Sequence, residues 1–231
     1  MNRKALRTVF LDTVPVLTGY LFLGAGFGIL LSEQTEYGIG WSIAMAVFMF
    51  AGSAQYLAVS LIANHASIIS AAIATLLLNA RHLFYGISLL DTYKDAGKRK
   101  PYLIFALTDE TYSLVTQNQP PEGMSRHRYC FLVSLLNHFY WIIGCSLGNV
   151  IRTVIPISFE GVEFVLTALF VTMLVEQWLS QKNHKPAIIG LSATVLCLLI
   201  FGKELFLIPS MTLIAVLLTV MKKTGRRAEN A

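Results

Sequence analysis

Charge is what this sequence has least of. Asp, Glu, Lys and Arg make up 13% of its residues, about half the usual share of a soluble domain. That scarcity excludes a water-soluble globule, whose surface would need far more charge. Cysteine is rare as well. Cys130, Cys145 and Cys197 stand apart in apolar stretches, with neither metal-site spacing nor a disulfide framework. They are expected to act as small apolar packing residues. No GxxxxGK[ST] loop occurs, and no GxGxxG follows a strand, so nucleotide chemistry has no signature. Gly24-x-Gly26-x-Gly28 lies inside an apolar run and reads as helix packing. No cofactor is expected. The strict alternation of a membrane barrel is also missing.

Long apolar runs are what the sequence has instead. Mean hydropathy is +0.62. Apolar stretches cover roughly 8–31, 41–63, 67–90, 102–117, 129–150, 162–179, 187–201 and 205–221. In lipid only helices and closed barrels satisfy their own backbone. An all-α polytopic membrane protein is therefore predicted, as a single transmembrane domain over residues 1–231 with a basic cytoplasmic tail at 222–231. The opening MNRKALRTVF resembles the basic region of a signal peptide. No A-x-A pattern follows and further spans do, so a retained first helix is expected.

Loop charges set the topology, because Lys and Arg concentrate on the cytoplasmic side. If all eight runs cross from an internal N-terminus, 11 basic residues fall inside and 6 outside. If runs 41–63 and 102–117 instead enter and return on one side, the division becomes 15 inside and 2 outside. The second arrangement is preferred. It has about six crossing helices, two broken or re-entrant elements (41–63 and 102–117), and both termini cytoplasmic. Run 41–63 carries Ala51-Gly52-Ser53-Ala54-Gln55 at its centre, and run 102–117 carries Thr108-Asp109-Glu110-Thr111. Gly and Ser weaken a helix there, and adjacent carboxylates facing lipid would be very unfavourable. An ordinary crossing helix over 41–63 is the competing reading.

One charge survives in mid-span. Arg81 and His82 lie inside the run Ser67 to Leu90, with Asn79 beside them. A guanidinium at that depth costs from about 3 to over 10 kcal/mol, and Arg cannot shed its proton. Arg81 lies roughly 14 Å from the inner end of its helix, and Asn137 and His138 lie at about 12–13 Å in theirs. Asp109 and Glu110 fall near the tip of one broken element, and Gly52 and Ser53 near the tip of the other. Polar groups from four segments thus reach the bilayer midplane, as in the broken-helix sites of secondary transporters. The candidate substrate-binding residues are Gly52, Ser53, Gln55, Asn79, Arg81, Asp109, Glu110 and Asn137. His82 and His138 are candidates for a coupling proton, since imidazole titrates near neutrality. Arg81 is expected to pair with Asp109 or Glu110. Asn137, His138 and Trp141 form a second polar face, although Tyr140 and Trp141 also suit packing. Asp12 and Glu176 read as interfacial. Gly24-x-x-x-Gly28 and Gly144-x-x-x-Gly148 match small-xxx-small helix contacts.

The same stretches carry a resemblance. Phe50-Ala-Gly-Ser-Ala-Gln55, Leu78-Asn-Ala-Arg-His82 with Tyr85-Gly86, Thr108-Asp-Glu110 and Thr167-Ala-Leu-Phe170 resemble the signature stretches of the AzlC family. The likeness runs in order over roughly residues 10 to 180. The family comprises large subunits of bacterial branched-chain amino acid exporters. It implies export of valine, leucine and isoleucine across the plasma membrane, with a small hydrophobic AzlD-like partner subunit. A zwitterionic substrate would place its carboxylate on Arg81, its ammonium on Asp109 or Glu110, and its side chain near Phe50 and Phe84. A channel-like or scaffold subunit is one rival. An intramembrane serine hydrolase built on Ser53 with His82 or His138 is another, although Ser53 lacks the G-x-S-G context of the rhomboid-type proteases. The topology is testable in a background without the native cysteines. A cysteine at Lys98 should react only from the cytoplasmic face and one at His65 only from outside; external labelling at Lys98 overturns the two-re-entrant arrangement.

Overall fold

The computed structural model describes residues 3–155, 164–180 and 184–206, and beyond them 209–210, 212–214, 216–219 and 221. The tail at 222–231 lies outside the described residues, as do the side chains of Phe84 and Glu176. The chain is helical, with no strand among the described residues. It is an all-α polytopic membrane protein. Two compact units emerge, Met1–Leu166 and Thr167–Ala231.

The first unit opens with α1, Arg3–Gln34. Where run 41–63 begins, the chain forms α2, Ile39–Phe48, and α3, Gly52–Ala63. At 1.5 Å per residue these are only about 15 and 18 Å long, short of the roughly 30 Å hydrocarbon layer. An interruption is therefore present, but it falls at residues 49–51, and Gly52-Ser53 form the first turn of α3. Phe50 within it takes φ +34, a conformation that costs a non-glycine residue on the order of 1–3 kcal/mol. Packing holds it there, as described below. Next come α4, Ile68–Ser88, with the Ser67 side chain accepting from the Ser70 N–H, and the single turn α5, Leu90–Tyr93. Within α4 the segments Ile68–Leu76 and Arg81–Ser88 are bent by 42°. Run 102–117 is broken too, into α6, Lys100–Phe105, and α7, Asp109–Gln117. The unit's last long helix is α8, Arg126–Val154.

In the second unit, α9 (Phe164–Ser180) leads to α10, Lys185–Leu205. Gly202 interrupts α10 at φ +71, a conformation glycine adopts without steric cost. Trp178 stacks on His184 at 4.2 Å where the two helices connect. Among the described residues, α1, α8 and Lys185–Gly202 are long and apolar enough to cross a membrane, and the bent α4 makes a fourth.

The centre of the first unit is the pairing of α1 with α8. The two small-xxx-small motifs pack against each other. A Cβ on Gly24 would lie 2.8 Å from the Cys145 backbone nitrogen, one on Gly144 would strike the Tyr20 carbonyl, and one on Gly148 the Ala25 carbonyl. In lipid no hydrophobic force drives helices together, so close backbone packing must do it. Around the seam Tyr20, Phe27, Phe50, Tyr56, Tyr140 and Trp141 form one core cluster. Leu103, Val115, Tyr129 and Val133 belong to a second. The three cysteines are buried and free, as packing residues should be. Asp12, expected at the interface, accepts a 2.9 Å hydrogen bond from Tyr129 on α8. By contrast, α4 buries none of its described side chains; Ile68 is 87% and Leu76 69% exposed.

Gly148→Val should sharply reduce the yield of monodisperse, detergent-solubilised protein, since overpacking costs about 1–3 kcal/mol or more. Gly40→Val, where an added Cβ meets nothing within 4 Å, should leave the yield nearly intact. Size-exclusion profiles of the two variants check the contrast, and equal losses would contradict the seam.

Candidate functional site

Arg81 draws together both helix breaks. Its Nη2 donates to Ser53 Oγ at 2.8 Å and pairs with Asp109 Oδ2 at 3.0 Å. Ser53 stands in the first turn of α3, and Asp109 opens α7. The partner choice left open between Asp109 and Glu110 falls to Asp109. The local sequence explains why both carboxylates are tolerated. Thr108 caps α7, its Oγ1 accepting from the Thr111 N–H at 3.2 Å. Asp109 and Glu110 then occupy the first turn, where the helix dipole favours negative charge.

Glu110 takes a different set of partners. Tyr20 on α1 donates to Glu110 Oε2 at 2.7 Å and lies 2.8 Å from Thr108 Oγ1. Thr108 Oγ1 is 3.0 Å from Thr111 Oγ1, which accepts from Asn137 Nδ2 at 3.0 Å. Tyr20 was absent from the sequence-based candidates. The available signal was a phenol in the middle of a long apolar run, since a buried tyrosine hydroxyl needs a polar partner. Tyr102, which bonds His138, was missed for the same reason.

Most of the remaining polar candidates support the breaks. Ala46 O, near the end of α2, lacks a helical partner because the chain turns away after Phe48. His138 Nε2 lies 3.2 Å from that carbonyl and can only donate to it, while Nδ1 accepts from Tyr102 at 3.1 Å. The imidazole also stacks on Phe50 at 4.2 Å, which helps hold its positive φ. Gly52 lets Trp141 lie against the start of α3, for a Cβ there would come 3.0 Å from the indole. Trp141 Nε1 then donates to Gln55 Oε1 at 2.6 Å. Tyr140 bonds Thr13 at 3.1 Å. Gln55 Nε2 and Asn137 Oδ1 are buried without a hydrogen-bond partner among the described residues. A donor and an acceptor are thus held ready in the polar layer, at sites where leaving them unmatched is costly.

Asn79 and His82 stand apart from this network. His82 Nδ1 bonds the Asn79 carbonyl at 3.2 Å. Both residues line a cleft of about 410 Å³, together with Leu83, Gly86, Lys100 and Ile104. Ser53 Oγ receives Arg81, and no histidine nitrogen bonds it among the described residues. The serine–histidine pair of a hydrolase is therefore not assembled.

An ion pair and a hydroxyl network enclosed between interrupted helices define a class: polytopic membrane proteins with a polar core built on broken helices. The chain belongs to the AzlC family. The model described as AzlC protein matches residues 15–155, a span that contains every candidate site residue. The Bacillus subtilis "Branched-chain amino acid transport protein AzlC" is 39% identical, over 99% of this chain and 92% of its own length. A Helicobacter pylori protein named "Uncharacterized membrane protein" is 39% identical over 95% of this chain and 96% of its own. The Escherichia coli "Inner membrane protein YgaZ" is 25% identical over 86% and 81%. No solved structure matches.

Arg81 and Asp109 are part-buried, 25% and 20% exposed, and removing one member leaves the other charge without its partner. Arg81→Met should therefore destabilise the detergent-solubilised chain by about 1–3 kcal/mol, and Arg81→Met with Asp109→Leu should recover most of that loss. A double-mutant cycle on denaturation midpoints measures the coupling, and strict additivity would show the pair to be energetically idle.

Proposed function

We propose that this chain transports amino acids, and specifically that it exports valine, leucine and isoleucine across a bacterial plasma membrane. It works as the large subunit of a two-component carrier beside a small hydrophobic AzlD-like protein. The observation that carries the reading is the Arg81–Asp109 ion pair on Ser53, set between two helix breaks, in a chain so similar to a protein named for branched-chain amino acid transport.

The chemistry fits a zwitterion. Arg81 offers a planar donor fork for a carboxylate. The first-turn N–H groups of α3, at Gly52 and Ser53, favour the same charge. Asp109 receives the ammonium, and the amides of Gln55 and Asn137 supply a further donor and acceptor. Asn79 borders the adjoining cleft, whose apolar wall suits a branched aliphatic side chain. The two broken elements enter and return on opposite faces, which keeps both termini cytoplasmic. Energy comes from an ion or substrate gradient, as the sequence has no nucleotide-binding motif.

Valine and leucine efflux from exporter-deficient cells, with and without a co-expressed small membrane protein, tests the proposal. Arg81→Ala, produced at wild-type level, should lower efflux about hundredfold, the equivalent of about 3 kcal/mol lost with one partner of a charged contact. Undiminished efflux from that variant overturns the site, and absence of amino acid efflux from the wild type overturns the function. Ionic conductance without saturable efflux would identify a channel instead.

A further inference from the structure

The charges of the polar core do not balance. Arg81 is matched by Asp109 at 3.0 Å. Glu110, the next residue, has no Lys, Arg or His within 4 Å among the described residues; its bonded partner is the phenol of Tyr20. The hydroxyls beyond that phenol are almost fully buried, with Tyr20 4%, Thr108 7% and Thr111 0% exposed. Glu110 itself is part-buried, and a carboxylate with no cation beside such hydroxyls pays a desolvation cost, which a bound proton removes.

The hydrogen bonds around Glu110 suit the protonated carboxyl. With the carboxylate ionised, Tyr20 donates to Glu110 and Thr108 donates to Thr111, and the Tyr20–Thr108 contact is left without a proton between its oxygens. With the carboxyl protonated, Glu110 donates to Tyr20, Tyr20 to Thr108, and Thr108 to Thr111. Each hydroxyl has one proton and two acceptor lone pairs, so in the protonated state every contact from Glu110 to Thr111 carries one proton. The Asn137 amide donates to Thr111 throughout. A proton bound at Glu110 therefore completes the row of hydrogen bonds.

The histidines are placed differently. The neutral Nε2–H form of His138 is bonded at both nitrogens while it caps α2. His82 bonds its own helix at Asn79 and borders the cleft. The charged and titratable groups of the cluster are thus Tyr20 from α1, Arg81, His82 and Tyr85 from α4, Asp109 beside Glu110, and His138 from α8.

We infer that Glu110 is the proton-binding site of the carrier, with the Tyr20–Thr108–Thr111 hydroxyl chain as its hydrogen-bonded partner, and that Asp109 beside it serves the substrate. This rests on the transport function proposed above. In one half of the cycle a proton from water on the loading face forms an O–H bond on a Glu110 carboxyl oxygen. In the other half that bond breaks, and the proton passes to water on the opposite face.

The test uses the full chain in proteoliposomes, with its small partner where export requires one. Two rates are measured: valine–valine exchange at equal pH, and net valine movement driven by an imposed pH gradient. Wild type should show both. Glu110→Gln, which mimics the protonated carboxyl, should keep exchange and lose all stimulation by the gradient. Glu110→Asp should retain both activities at reduced rate. Gradient-driven transport by Glu110→Gln overturns the inference, and so does loss of exchange in that variant, which would make Glu110 a substrate ligand or a folding element. A wild type that exchanges valine but ignores the gradient also overturns it, leaving the transport function standing. A wild type without valine exchange removes the transport function itself.

Discussion

A helix that stops inside a membrane leaves backbone groups that lipid cannot satisfy, and much of this structure answers that constraint. The carbonyl of Ala46 at the end of α2 is bonded by His138. The N–H of Thr111 at the start of α7 is bonded by Thr108. Both breaks are thus closed by polar side chains, and those side chains need partners in turn. Tyr102 serves His138, and Tyr20 serves Thr108. The polar core is continuous with the repair of the breaks. The candidate site residues occupy places that the backbone had already made polar.

The glycine seam between α1 and α8 makes that repair possible. Tyr20, Asn137, His138 and Trp141 all lie on those two helices, close to Gly24 and Gly144. Their reach depends on the distance between helix axes. A seam of larger residues would carry Tyr20 away from Thr108 and Glu110, where 2.7–2.8 Å contacts now stand. Packing and chemistry are therefore set by the same four glycines, which makes substitutions in the seam hard to separate from substitutions in the site.

Much of this was legible in the sequence because lipid simplifies the rules. Apolar runs announced helices, and small or charged residues at Gly52-Ser53 and Thr108-Glu110 announced the two interruptions. The ion pair of Arg81 was foreseeable because a guanidinium at depth must find a carboxylate. Its choice of Asp109 over Glu110 was not, since neighbouring residues on one helix start point about 100° apart and only the tertiary arrangement selects between them. Tyr20 was invisible for another reason: a lone tyrosine in an apolar run serves packing as readily as hydrogen bonding. The mutual pairing of the two glycine motifs also escaped, because a small-xxx-small pattern declares a close contact without naming the other side.

The exposed helix α4 gives the ion pair a second meaning. Among its described side chains none is buried, yet it carries Arg81, which reaches Ser53 on α3 and Asp109 on α7. Those two bonds tether a helix that packing holds only lightly. On the proposed function, tether strength and ligand affinity become linked quantities: whatever draws Arg81 away from Asp109 loosens α4, and whatever holds α4 in place weakens the competitor by the same free energy. A carrier working as proposed would need no relay between recognition and motion, because one guanidinium would take part in both.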